Sequence, residues 1–306
     1  MKLSIVSPVY KAELVLDELI ERISKSIPAA FNSFEIILVD DFSPDNSWYK
    51  IMEISLNNAN VTGYKLSRNF GQHYAIIAGL NKADGDYVVV LDCDLQDQPE
   101  EIEKLFCETQ KGFHIVLARR YERKDSYYKK TVSKVFYKIL SYLTGAKQDE
   151  AVANFGIYSK QVINEVVQLE EKIKYFPTMI KWVGFSTSYV NVEHATRSEG
   201  KSNYNLKKLI NLAIDIILAY SDKPLRLIIK FGLSIALISF FMVFYILYEK
   251  ATGQFTVTGY ASLIISIWFL SGCILTTLGI VGLYTGKIFE SVKNRPSYII
   301  EKATNE

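Results

Sequence analysis

Two long uncharged stretches near the C-terminus constrain this chain more than any other feature. Phe231 to Tyr248 reads FGLSIALISFFMVFYILY, 18 residues without a charge. Ala251 to Gly286 supplies 36 more, of which about Tyr260 to Tyr284 is apolar enough to be buried. A helix rises about 1.5 Å per residue, so roughly 18 to 20 residues cross a hydrocarbon layer about 30 Å thick. One such helix also suits a soluble core. Two in succession, with no strand pattern between them, point to a transmembrane hairpin. Lys201, Lys207, Lys208, Lys223, Arg226 and Lys230 precede the first span, and Lys287, Lys293, Arg295 and Lys302 follow the second. The connecting loop has only Lys250, beside Glu249. Basic residues stay on the cytoplasmic side, so both ends are expected there and the loop outside.

The remainder is ordinary in composition, which excludes several classes. Of 306 residues, 35 are Lys or Arg and 33 Asp or Glu, a net charge of +2, so a globally basic nucleic-acid binder is excluded. Charged residues at 22% and hydrophobic residues at 49% exclude a disordered chain. Cys93, Cys107 and Cys273 lie far apart with no CxxC pair, which indicates neither a disulfide framework nor a zinc cluster. Met1–Val9 is too short an apolar run for a signal peptide, so the N-terminus is expected to stay in the cytoplasm.

Before the hairpin, short apolar runs alternate with amphipathic ones. Strands are expected at Leu3–Val6, Glu35–Val39, Val61–Leu66, Tyr87–Leu91 and His114–Ala118, with helices to about Ile27, from about Gln72 to Lys82, and opening at Pro99. This alternation predicts an α/β fold with a doubly wound, mostly parallel sheet. Ligands bind such sheets beyond the carboxyl ends of the strands. The residues there are polar: Pro8, Tyr10 and Glu13; Asp40, Asp41 and Ser43; Ser67, Arg68 and Asn69; Asp92, Asp94, Gln96 and Asp97; Arg119 and Arg120. No Gly-x-Gly-x-x-Gly follows the first strand, which disfavours a dinucleotide site. Asp92-Cys93-Asp94 is the sharpest element, because two carboxylates two apart at a strand end can share one hard divalent cation bridging a diphosphate. Asp97 suits a base or a helix cap before Pro99.

The stretches SPVYKAE, EIILVDDFSPDNS, LSRNFGQHYAIIAGL, ADGDYVVVLDCDLQDQPEEI and RSEGKSNY occur in this order. Together with the terminal hairpin they resemble family 2 glycosyltransferases of the GT-A fold, in the subgroup of dolichyl-phosphate mannose synthase and the bacterial polyprenyl-phosphate glycosyltransferases. The resemblance implies that Pro8, Tyr10, Glu13, Asp40, Asp41, Asp92 and Asp94 bind the donor. It implies Asp92, Asp94 and Gln96 as ligands of Mg2+ or Mn2+, and Asp94, Arg119 and Arg197 as catalytic. Arg197, Gly200 and Ser202 match a loop that closes over donor and acceptor phosphates. Lys11 and Ala12 depart from the usual Asn-Glu, and His194 stands where relatives often have Arg. Ala153-Asn154-Phe155-Gly156 replaces a Gly-Asp-Phe-Arg run, so no sugar is assigned.

The acceptor decides whether a base is needed. A sugar hydroxyl must lose a proton to a carboxylate. A phosphate monoester, with a second pKa near about 6, is already largely dianionic at neutral pH and needs only cations to place it. Arg119, Lys129, Lys130, Ser133, Arg197 and Ser202 are the candidates. Tyr127–Leu143 and Asn205–Tyr220 have the pattern of amphipathic helices that lie at a membrane interface. The expected organisation is a cytoplasmic GT-A catalytic domain over 1–204, a juxtamembrane helix over 205–226, two transmembrane helices within 227–286 (about 227–248 and 260–284) and a cytoplasmic tail over 287–306. Expected partners are a nucleotide sugar (UDP-sugar first, GDP-sugar second), polyprenyl phosphate, the bacterial inner membrane and a second copy of the chain; nucleic acid is not among them. The expected reaction transfers a sugar to undecaprenyl phosphate for cell-envelope glycan modification. The rival reading adds a sugar to a saccharide hydroxyl, with Asp149 or Glu150 as base. A processive synthase would need more spans and a Gln-x-x-Arg-Trp motif, which is missing. A non-catalytic scaffold conflicts with the intact acidic set.

Overall fold

The computed structural model describes residues 1–120, 152–171, 173–192, 221, 223–252, 259–293 and 295–304. They fall into two compact units, one holding 1–120, 152–192 and 295–304, the other 221–293.

The first unit is an α/β sheet of eight strands: β1 (Lys2–Val9), β2 (Ser33–Asp40), β3 (Val61–Leu66), β4 (Tyr87–Val90), β5 (Ile115–Arg120), β6 (Val152–Ser159), β7 (Thr187–Val192) and β8 (Ile300–Ala303), in the order β7-β5-β6-β4-β1-β2-β3-β8. Four pairings are parallel and three antiparallel. β1 is buried along nearly its whole length, as a central strand covered on both faces must be. Successive side chains of a strand point to opposite faces, and the core divides accordingly. Leu3, Ile5, Ile36, Leu38 and Val89 pack on one face, with Leu19 and Ile23 of α1 (Leu16–Lys25), Ile51 of α2 (Ser47–Asn57) and Leu105 of α4 (Ile102–Thr109). Val6, Ile37, Val39, Val88 and Val90 pack on the other, with Ile76 and Ile77 of α3 (Gln72–Leu80) and Val162 and Ile163 of the helix Lys160–Gln168.

Three elements depart from their expected form. Pro99 opens a 3₁₀ turn, Pro99–Glu101, that runs into α4. The antiparallel β6 lies between β4 and β5, which makes the sheet mixed. Residues 295–304, expected as plain tail, return to the first unit and supply β8 antiparallel to β3.

The strand order places the site. The chain runs from β1 outward through β2 to β3, then returns to the other side of β1 for β4. The carboxyl ends of β1 and β4 therefore flank a topological switch point, where such sheets open a crevice. Pro8 contributes to that opening. The carbonyl of Val6, two residues earlier, accepts from the Leu91 amide. Pro8 faces the same way, and its missing amide falls where β4 has already ended.

The second unit holds the helices Lys223–Ala251 and Tyr260–Val292. The first begins at Lys223, a few residues before the expected 227. Their most apolar parts, Lys223–Met242 and Ser266–Val292, have mean hydropathies of 1.9 and 1.8 and are not buried inside the protein. Both are long and apolar enough to cross a membrane. Tyr284 donates to the Ser221 carbonyl at 2.8 Å.

Candidate active site

The loops after β1 and β2 are lashed together. The amide of Lys11 donates to Ser43 Oγ (3.1 Å) and that of Ala12 to Ser47 Oγ (3.0 Å). Glu13 accepts from both the amide and the side chain of Asn46, at 3.2 Å each. Glu13 thus braces the platform on which Tyr10 stands 40% exposed. Lys11, Phe42 and Leu95 are the non-glycine residues with positive φ (56°, 57° and 58°) among the described residues. All three follow strands that end at this edge. Left-handed backbone is uncommon outside glycine, Asn and Asp, and clusters at binding sites.

Asp40 and Asp41 lie at the end of β2, both buried. Asp40 accepts from the Ser43 amide, and burial pushes its carboxyl above the usual range. Asp41 accepts from the amides of Phe70 (2.7 Å, Oδ1) and Gly71 (2.9 Å, Oδ2), while Asn69 donates to its carbonyl. Burial pushes its carboxyl up to about 6, and the two amides act against that rise. Asp41, expected among the donor-binding residues, fixes the turn between β3 and α3.

Asp92, Asp94 and Gln96 follow β4 and are all partly exposed. Asp92 Oδ1 accepts from Gln72 Nε2 at 2.7 Å, and Asp94 Oδ1 from the Gln96 amide at 3.2 Å. Cys93 between them is half-buried against the core, and desolvation pushes its thiol up to about 12, which fits an apolar filler. Asp97 is 1% exposed, and no side-chain bond caps the 3₁₀ turn after it. The acidic set fits a divalent cation by its chemistry. Two carboxylates and an amide are hard oxygen donors of the kind Mg2+ and Mn2+ take. No group of three or more His, Cys, Asp and Glu that could hold a metal ion lies among the described residues.

β5 runs parallel to β4, because each is antiparallel to β6. Exposed Arg119 at its carboxyl end therefore reaches the same edge of the sheet. β6 begins at that edge. Val90 is paired with Gly156, so Asn154 falls level with Asp92. At Gly156 an added Cβ would come within 2.9 Å of Tyr158 Oη and of the Val116 carbonyl, so a large side chain has no room there. Lys129, Lys130, Ser133, Asp149, Glu150, His194, Arg197, Gly200 and Ser202, with both amphipathic stretches, lie outside the described residues. Gln72 is the site residue the sequence reading missed; its signal was a polar side chain opening the helix after Asn69-Phe70-Gly71. A separate groove of about 290 Å3 between α1 and α2 is lined by Asp17, Glu21, Lys50 and Glu53. Lys50 pairs there with Asp17 and Glu53.

The mixed sheet, the acidic pair at its switch point and Arg119 at the same edge agree with the resemblance to glycosyltransferases of the GT-A fold. The model of the glycosyl transferase family 2 matches residues 4–167, and the chain belongs to that family. An uncharacterised glycosyltransferase of Bacillus subtilis (strain 168) is 36% identical over 301 residues, 98% of this chain and 93% of that protein. The undecaprenyl-phosphate 4-deoxy-4-formamido-L-arabinose transferase of Proteus mirabilis (strain HI4320) is 36% identical over 305 residues, with the same coverage. In fold, the chain is similar to glucosyl-3-phosphoglycerate synthase from Mycobacterium tuberculosis, solved with Mn2+, UDP and phosphoglyceric acid. That likeness has a TM-score of 0.50 and 17% identity, and covers 71% of this chain and 76% of that one.

Proposed function

We propose that this protein moves one sugar, with inversion, from a UDP-sugar to undecaprenyl phosphate at the cytoplasmic face of the bacterial inner membrane. The single observation that carries the acceptor is near full-length similarity to a transferase named for undecaprenyl phosphate. The two apolar helices support a lipid substrate, and UDP in structures of similar fold supports the donor.

Tyr10 and Asp41 would bind the nucleoside end, on loops that Glu13, Ser43 and Ser47 hold in place. Asp92, Asp94 and Gln96 would hold Mg2+ or Mn2+, which supplies counter-charge to the diphosphate. Arg119 adds fixed positive charge where the leaving group gains negative charge. The acceptor phosphate oxygen attacks the anomeric carbon as the bond to the diphosphate breaks. That oxygen is already deprotonated, so no carboxylate base is required. Lys130, Ser133, Arg197 and Ser202 are proposed to orient the acceptor phosphate.

The test offers a panel of nucleotide sugars with either undecaprenyl phosphate or undecaprenol, which lacks the phosphate. Transfer to the phosphate alone, giving a product labile to mild acid, is expected. Transfer to undecaprenol, or only to a saccharide, would overturn the reading.

A further inference from the structure

We propose that Gln72 is a positioning residue of the donor site, orienting Asp92 from a turn that Asp41 anchors. This rests on the donor reading above and adds a coupling within it.

Asp41 and Asp92 follow different strands, β2 and β4, and serve opposite ends of the donor. One short turn joins them. The amides of Phe70 and Gly71 each donate to one oxygen of Asp41. Gly71 has φ of 107°, a conformation L side chains rarely adopt, and caps α3. The next residue, Gln72, begins α3 and donates its side-chain amide to Asp92 Oδ1 at 2.7 Å. The two anchors are thus consecutive residues of the chain.

The chemistry suits a positioning role. A carboxylate accepts through either oxygen, and a bond to one of them fixes its plane. An amide does this without neutralising the charge. A Lys or Arg there would compete with a cation for Asp92, and a Glu would add a second carboxylate. Because the bond runs to a carboxylate, the Gln72 amide must present its NH2 group. Partners that orient a metal-binding group typically change metal affinity about ten- to a hundredfold when removed.

The test is calorimetric titration of UDP into the full-length protein, with Mn2+ and separately with EDTA. Gln72→Met keeps the length of the side chain and its helix preference but has no donor. The wild type should bind UDP more tightly with Mn2+ than without. Gln72→Met should lose about tenfold of that gain, with affinity in EDTA unchanged. The ratio of the two affinities is internal to each variant, so a partly unfolded sample lowers the stoichiometry and leaves the ratio intact. An unchanged ratio in Gln72→Met would overturn the proposal. A wild type indifferent to Mn2+ would overturn the donor-site reading itself, and this proposal with it.

Discussion

Lys11 shows how a single residue records a structural demand. It stands where the family resemblance implies Asn, and it sits at φ of 56°. Asn tolerates left-handed backbone better than Lys, whose penalty there is roughly 1–2 kcal/mol. Lys11→Asn should therefore stabilise the protein by about 0.5–1 kcal/mol, part of that penalty; an unfolding temperature equal to or below wild type would refute the strain. Asp41 gives a pH signature. Its carboxyl holds a proton up to about 6 in the folded chain, against an ordinary value of 3.8. The unfolded chain therefore ionises first, and the stability Asp41 contributes falls as pH rises from about 4 to about 6, then stays level. Two units correspond to about 3 kcal/mol. Asp41→Asn should flatten that slope in denaturation measured from pH 4 to 7. It should also lower stability throughout, because an amide offers one acceptor oxygen to the two amides of Phe70 and Gly71. Equal slopes would remove Asp41 as the cause. At the proposed metal site, Asp94→Ala should cut turnover about 10²–10³-fold by removing counter-charge from the diphosphate. Full activity of that variant in EDTA would end the metal assignment.

Among elements, those with a strong local pattern were readable from sequence. β1 through β5 are short apolar runs, and Asp40 and Asp41 after β2, Asp92 and Asp94 after β4 and Arg119 in β5 lie at one edge of the sheet. The elements missed depend on partners distant in sequence. β8 is Ile-Glu-Lys-Ala, half charged and exposed as an edge strand should be. Nothing local marks it; the Thr304 amide donates to the Gly63 carbonyl, the Gly63 amide to Thr304 Oγ1 and the Ser67 amide to the Ile299 carbonyl. β6 reads as VANFGIYS, its apolar run broken by Asn154 and by Gly156, where an added Cβ would meet Tyr158 Oη and the Val116 carbonyl. The hold of Asp41 on the Phe70 and Gly71 amides was equally hidden, since these partners lie about 30 residues on. Ending the chain before Tyr298 would strip these bonds from the edge of β3. At about 0.5–1.5 kcal/mol for each bond, the loss should be about 2–4 kcal/mol, read as a lower unfolding temperature with membrane fractionation unchanged. Unchanged unfolding would mean that β8 contributes nothing to the sheet.

At the scale of the molecule, the chain leaves the first unit before the two apolar helices and re-enters it after them as β8. Two membrane crossings between attachments to one unit would return the chain to the side it left, which is the sense the Lys and Arg asymmetry predicts. A cysteine at Thr256 should react with an impermeant reagent on intact cells. A cysteine at Lys302, exposed on β8, should react only after permeabilisation. Lys302 is the better reporter than Thr304, which is held by Gly63. The reverse pattern would place the donor site outside, away from cytoplasmic nucleotide sugars.

The proposed chemistry is tested most directly by what is released when purified protein, a UDP-sugar and undecaprenyl phosphate react. Sugar transfer to a lipid phosphate must yield one UDP for each lipid product, and mass spectrometry must find that product carrying one sugar and a single phosphate. Release of UMP with a lipid diphosphate sugar, or of UDP with the sugar on a glycan and the lipid unchanged, would contradict it.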